Sequence, residues 1–574
     1  MRSLIHKLLG HVPLQFRVLY RQFLLRVVDL EALSIKADIP RFLGQFAGVL
    51  IMFSLIRGLG FLASANNPRI TRIGFLTLTM HTEQRLISTM MLIAGLVAVM
   101  SWDATFPDRR DIMVIFPLPV RTTTILSAKV AAASAALGLA ILALNVASGV
   151  ALPLVLGGIP HFIQSFAAYW FTMIASSVFI YGCVLAVQGF TALLLPRWLF
   201  LRLSAVLQIA AFGLFLGTYF LQPYIDTPAA IASAENHRLL YWSPSFWFFG
   251  LFNQLNGSSP TVLDWLARRA WIGLGCAVFG ATASLLLCYL RTMKKTVEEP
   301  DLVPGARSFH WTPRFGSPLE TAIVLFSIRS LGRSRHHRVA FSFYLAIVLA
   351  IALSSLKAPL STAALHPLTR DFLMSMLVMM CLAVVGLRSV FSLPISLNAN
   401  WALRVTQLYP SEKYIAATRR ALILLAVSPV WLCGALISLS FRPLEQVVAH
   451  LIVLALVGFI LTDLTLIGVS KIPFACSFLP GKSNIQFMFW GFVIIFFPFA
   501  MAFAGYEQRA LHHPLQYAWM VGILGMTSMA LWAVNRYRAK SAVIYYEEQL
   551  PEVITTLGLT LNSYAPIVSR KEKT

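Results

Sequence analysis

Few residues in this 574-residue chain have the types and spacing that chemistry needs. A phosphate-binding loop requires GxxxxGK[ST] between a strand and a helix, so that backbone amides can cradle the phosphates. The GK[ST] triplet Gly481-Lys482-Ser483 has Cys476 where the first glycine belongs and lies at the end of an apolar run, so it reads as a turn. The six cysteines, Cys183, Cys276, Cys288, Cys381, Cys433 and Cys476, are scattered singly without CxxC or Cys/His spacing, which suits packing better than a disulfide framework or a metal. The adjacent pairs His336-His337 and His512-His513 point in different directions on a helix, so no shared metal site is expected. Two ionisable residues stand out because they interrupt long apolar runs: Arg57 and Asp463.

Those runs dominate the composition. Hydrophobic residues make up 58% of the chain and charged residues 12%, with a mean hydropathy of +0.74. Soluble domains carry about 25% charged residues, so a soluble enzyme and a disordered chain are both excluded. Twelve stretches are long enough to cross about 30 Å of hydrocarbon. They lie near 42–64, 86–102, 130–156, 164–190, 200–222, 270–290, 339–356, 371–387, 421–440, 448–470, 486–505 and 515–535. The basic N-terminal stretch lacks a small-residue cleavage site and is not read as a cleavable signal peptide.

The formal charge of +23 would suggest nucleic acid in a soluble protein. Here it is a topology marker. With both termini cytoplasmic, 35 Lys and Arg fall inside and 10 outside, with Arg57 inside a span. The expectation is an all-α polytopic membrane protein of about twelve transmembrane helices, N-in and C-in, with a basic face toward anionic lipid and no nucleic-acid partner. Arg57 lies about 22 Å from the inner end of its span and Asp463 about 8 Å above the inner face. A direct pair between them is therefore not expected; Asp463 is left to an inner vestibule or a bond to a neighbouring helix.

The spans divide six and six. Residues 1–290 form the first half, 291–319 a charged, proline-bearing cytoplasmic linker, 320–540 the second half and 541–574 a cytoplasmic tail. Each half opens with an amphipathic, Arg-bearing stretch, PLQFRVLYRQFLLRVV or ETAIVLFSIRSLGRSRHHR, suited to the inner interface. The loops after each second span, FPDRRDIMVIFPLPVRTTTILSAK and SLPISLNANWALRVTQLYPSEKYIAATRR, can be aligned by pairing Pro119 with Pro410, which places Lys129 opposite Arg420. A tandem duplication is the economical reading.

These features resemble the permease subunits of ABC-2 type exporters, and IFPLPVRTTTILSAK is the closest match to that family's coupling helix. The resemblance implies a transport permease rather than an enzyme, in the plasma membrane, with substrate unspecified. The family also places short re-entrant helices between spans five and six. The long outer loop 223–267, with YWSPSFWFFGLFNQLNG, is a candidate for them, whereas the second half's outer loop is too short. With no LSGGQ sequence and no P-loop, ATP and Mg would be bound by a separate ABC ATPase on the cytoplasmic face, and this chain would hold no cofactor. Its docking groups would be Arg109, Arg110, Asp111, Pro119 and Arg121 in the first half, with Pro410, Glu412 and Lys413 in the second. An ion-coupled secondary transporter is the alternative, disfavoured because Asp463 stands nearly alone as a membrane carboxylate. A lipid-linked transferase would need clustered acids, and the 23 here are dispersed.

Overall fold

Backbone amides that enter hydrocarbon must find partners within the chain, so apolar runs of this length have to be helices or a closed barrel. A computed structural model describes residues 13–28, 39–65, 71–102, 115, 117–220, 237–257, 263–298, 313–334, 337, 341, 344–345, 347–348, 351, 368–393, 405, 411–438, 444–467, 472–474, 495–542 and 544. Among the described residues all regular structure is helical.

In chain order the helices of the first half are α1 (Leu14–Val28), α2 (Ile39–Ala65), α3 (Arg72–Met100), α4 (Thr122–Asn145), α5 (Ser148–Leu194), α6 (Arg197–Phe220), α7 (His237–Trp242), α8 (Pro244–Leu255) and α9 (Asp264–Glu298). Those of the second are α10 (Pro318–Arg333), α11 (Arg370–Phe391), α12 (Ser411–Ser438), α13 (Leu444–Thr465), α14 (Phe497–Ala510) and α15 (Pro514–Ser541). Nine of the described helices are long and apolar enough to cross a membrane: α2, α3, α4, α5, α9, α11, α12, α13 and α15. The chain is an all-α polytopic membrane protein.

The expected spans differ from these helices mainly at their ends, because helices continue past the point where hydropathy drops. The third span begins at Thr122 rather than 130, and the helix that holds the second begins at Arg72 rather than 86. α5 is bent at Gly158, whose φ of 54° is open to glycine and strained for other residues. α4 with residues 148–157 covers the expected third span, and the rest of α5 the fourth. α6 has a shorter apolar run, Val206–Phe220, and α14 extends to Ala510, past the expected end of span eleven. Most of the seventh expected span, 339–356, lies outside the described residues. The stretch assigned to the linker is helical at both described ends. α9 continues to Glu298, and α10 starts at Pro318 under a capping box in which Ser317 and Glu320 bond each other's backbone amides.

Third spans are interrupted in both halves. α4 and α5 are separated by Val146 and Ala147, while α12 contains a π-helical turn over Ile423–Val427. Pro429 supplies no amide hydrogen, and the Ser428 hydroxyl donates to the Ile423 carbonyl at 3.1 Å.

Two cores hold the helices. One gathers buried residues from Leu50 to Ala277, among them Met90, Tyr169 and Phe248; the other runs from Val324 to Ala504, among them Met376, Val384 and Leu422. The same pairings recur in each. The second span packs on the fourth (α3 on α5, α11 on α13) and on the fifth (α3 on α6, α11 on α14). The fourth packs on the sixth (α5 on α9, α13 on α15), and the amphipathic helix packs on the third (α1 on α4, α10 on α12). The first half adds α7 and α8, formed by the broken apolar stretch between α6 and α9. Phe246, Phe248, Phe249, Leu251 and Phe252 bury α8 against α3, α5 and α9.

Candidate functional site

Among the described residues, the densest ionic arrangement lies around the start of α12, SEKYIAATRRAL. Tyr414, Ala417 and Leu422 turn inward, while Arg419 and Arg420, about 100° apart on a helix, reach different neighbours. Arg419 grips Asp463 of α13 with two bonds, Nε to Oδ1 at 2.6 Å and Nη2 to Oδ2 at 2.9 Å. Asp463 is wholly buried and the Arg419 side chain 25% exposed. Asn535 of α15 donates to the backbone carbonyl of Asp463 at 2.7 Å. Arg420 pairs with Glu320 of α10 at 2.7 Å and also donates to the Phe315 carbonyl. Arg536 of α15 pairs with Glu412 at 2.8 Å, and the Ser411 hydroxyl donates to the Ala539 carbonyl. The first turns of α12 are thus bonded to α10, α13 and α15 by charge-assisted contacts, the stronger class of hydrogen bond.

At the corresponding place in the first half the described contacts include an apolar cluster. Phe23 of α1 packs with Ile125, Ala128 and Ala132 of α4. Lys129 is buried there, with Nζ 5.1 Å from the centre of the Phe23 ring. Lys129 and Arg420, aligned by their distance from Pro119 and Pro410, both face their half's amphipathic helix.

The residues singled out from sequence fare differently. Asp463 bonds a neighbouring helix through Arg419, and Arg57 is elsewhere, on α2 with its guanidinium 5.1 Å from the Phe53 ring. Pro119 and Arg121 are exposed just before α4, and Lys413 is exposed on the first turn of α12. Glu412, one of the expected docking groups, is partly exposed and pairs with Arg536. Arg109, Arg110, Asp111, Pro410 and the Gly481-Lys482-Ser483 turn lie outside the described residues.

A second polar group sits at the α4–α5 break. Ser54 Oγ accepts the amides of Ala147 and Ser148 at 3.1 and 3.2 Å, the donors that the break would otherwise leave open. The Tyr169 hydroxyl donates to Asn145 Oδ1 at 2.7 Å and lies 3.1 Å from the Ser148 hydroxyl. Gly58 lets α2 approach the Ala147 backbone closely enough that a Cβ there would stand 3.2 Å from it.

Two acids that hydropathy places in outer loops are buried in the bundle. Glu83 of α3 is 6% exposed, and its carboxylate hydrogen-bonds Asn253 of α8. Glu507 of α14 contacts His450 Nδ1 of α13 at 2.8 Å, with the two side chains 3% and 2% exposed. Among the described residues, Asp463 is thus one of three buried acids. Both acids were missed because each charge ends a hydropathy window while the helix runs on.

The aromatic residues of the long outer loop also divide. Trp242 is 79% exposed, as an interfacial belt residue would be, whereas Trp247 and Trp265 join Tyr241 around the chain's own Arg269. His337 uses both ring nitrogens, on the Ser334 hydroxyl and the Leu393 carbonyl. No group of three His, Cys, Asp or Glu suited to a metal occurs among the described residues. Comparison with protein-family models, curated proteins and solved structures returns no match.

Proposed function

We infer that the chain is the membrane-spanning permease of an ATP-driven exporter of the ABC-2 type. It would work in the plasma membrane with a separate ABC ATPase that binds ATP and Mg at the basic, cytoplasmic face. The observation that carries this reading is the repeated docking of an amphipathic helix on the start of the third span, α1 on α4 and α10 on α12, beside exposed Arg121 and Lys413. Force applied at α10 or at the first turn of α12 reaches α13 through Arg419–Asp463 and α15 through Glu412–Arg536. Packed helices move as units, so displacement at these ends rocks the helices against one another.

The test is ATP-dependent transport by vesicles containing this chain and the ATPase that copurifies with it. Charge reversal, Arg121→Glu with Lys413→Glu, is expected to abolish stimulation of the ATPase while membrane insertion persists. Full stimulation in the double variant would overturn the docking role. A second reading, ion-coupled transport without an ATPase, is favoured by the burial of Glu83 and Glu507. Uptake driven by an imposed proton gradient in vesicles without ATP would select it.

A further inference from the structure

His450 and Glu507 join α13 to α14 at the end of α13 opposite Asp463, about 20 Å away along the helix. The imidazole is enclosed: His450 is 2% exposed, Phe372 of α11 sets its ring at 6.0 Å in an edge-on arrangement, and Nδ1 contacts Glu507 Oε1 at 2.8 Å. Its other nitrogen, Nε2, is buried without a hydrogen-bond partner.

An imidazole with one nitrogen on a carboxylate has two states. With Nδ1 alone protonated, Nε2 is a buried acceptor lacking a donor, and the pair carries the single negative charge of Glu507. With a second proton on Nε2, that atom is a donor lacking an acceptor, but the pair is neutral overall. The orphaned atom is unsatisfied in either state, so it does not choose between them. Charge does, because an uncompensated carboxylate in a dry site is the more costly arrangement.

Among the described residues, the charged groups on the surrounding helices are exposed or have other partners. On α11, the Arg370 guanidinium is committed to the Met501 carbonyl at 2.9 and 3.1 Å, and Asp371 is adjacent on the same first turn. On α14, exposed Arg509 bonds back to the Gly505 carbonyl. At the start of α15 the Tyr517 hydroxyl donates to the Ala449 carbonyl at 3.1 Å, His512 contacts Gln446, and His513 stands at the N-cap position without a side-chain capping bond. α13 itself contributes Glu445, and the last turns of α12 bring Cys433 but no charged residue.

We propose that His450 and Glu507 form a proton-binding site that links the α13–α14 contact to pH. The proton adds to Nε2, no bond to carbon forms or breaks, and the pair passes from net negative to neutral. Proton uptake stabilises the packed arrangement, and proton loss loosens α14 from α13. This holds whether or not an ATPase drives the protein, so its failure and that of the exporter reading are separate outcomes.

The experiment is 15N-histidine NMR of the full chain in detergent micelles from about pH 5 to pH 9, the range over which imidazoles titrate, with His450→Gln used to assign the signal. The expected result is a change of protonation state at His450 in the wild type, and a ring that stays neutral throughout in Glu507→Gln. A signal constant over the whole range, or one that titrates unchanged in Glu507→Gln, overturns the proposal. If Glu507→Gln does not fold, thermal midpoints decide: wild-type Tm falls as pH rises and His450→Gln removes that dependence, whereas equal slopes refute it.

Discussion

Arg419 and Asp463 bond each other through two contacts but do not depend on each other equally. Asp463 is wholly buried, whereas a quarter of the Arg419 side chain reaches the surface. Arg419→Ala leaves a carboxylate with no counter-charge in a dry site and is expected to cost about 3–5 kcal/mol. Asp463→Asn leaves a guanidinium that can turn toward water, and the loss is expected to be nearer 1.5–3 kcal/mol, about that of a charged hydrogen bond. Thermal unfolding of the two variants in the same detergent checks the order; equal destabilisation would mean that burial of Asp463 does not decide the energetics. The acid was legible in the sequence because it breaks an apolar run, and its shallow depth pointed to the inner end of α13. Its partner was not, because Thr-Arg-Arg before an apolar stretch reads as ordinary inside charge. The helix swallows both arginines, and only packing reveals that consecutive ones serve different neighbours. Glu83 and Glu507 were hidden by the same edge effect.

At the scale of helices, contact is governed by where backbones come close. A Cβ added at Gly182 of α5 would stand 3.0 Å from the Ala277 carbonyl oxygen of α9, and a backbone atom cannot rotate aside. Gly138 of α4 has nothing within 4 Å of such a Cβ. Gly182→Ala is therefore expected to cost about 1–3 kcal/mol by forcing α5 from α9. Gly138→Ala should gain up to about 1 kcal/mol from helix propensity alone. Opposite signs in their thermal midpoints would support close α5–α9 packing, and a stabilising Gly182→Ala would contradict it. Hydropathy made these helices readable and hinted at the short pair α7 and α8 through the prolines and glycines of their segment. The bend at Gly158 and the π-helical turn in α12 were not readable as such. A glycine or a Ser-Pro step permits several outcomes, and neighbouring helices choose among them.

Among the described helices the same pairings recur in the two halves, and the sequence suggested such a repeat through charges and prolines at matching offsets. What the offsets did not carry is the difference in chemistry between equivalent places. Among the described contacts, Phe23 packs against the start of α4 beside a buried Lys129, and three ion pairs surround the start of α12. Each half also has a separate core, with Ile347 packed beside Val99, Phe212 and Leu216 among the described contacts between them. When stability resides in two cores, cutting the chain between them leaves the contacts within each core in place and removes the tether that holds the halves together. A protease site placed within 299–312 should therefore, once cleaved in the membrane, leave two fragments that each resist heat-induced aggregation as the intact chain does. Fragment-specific tags at the two termini allow each to be followed separately after a heating series. Loss of one fragment at a temperature the intact chain survives would show that this half draws its stability from the other, and that the repeated plan is not two self-sufficient bundles.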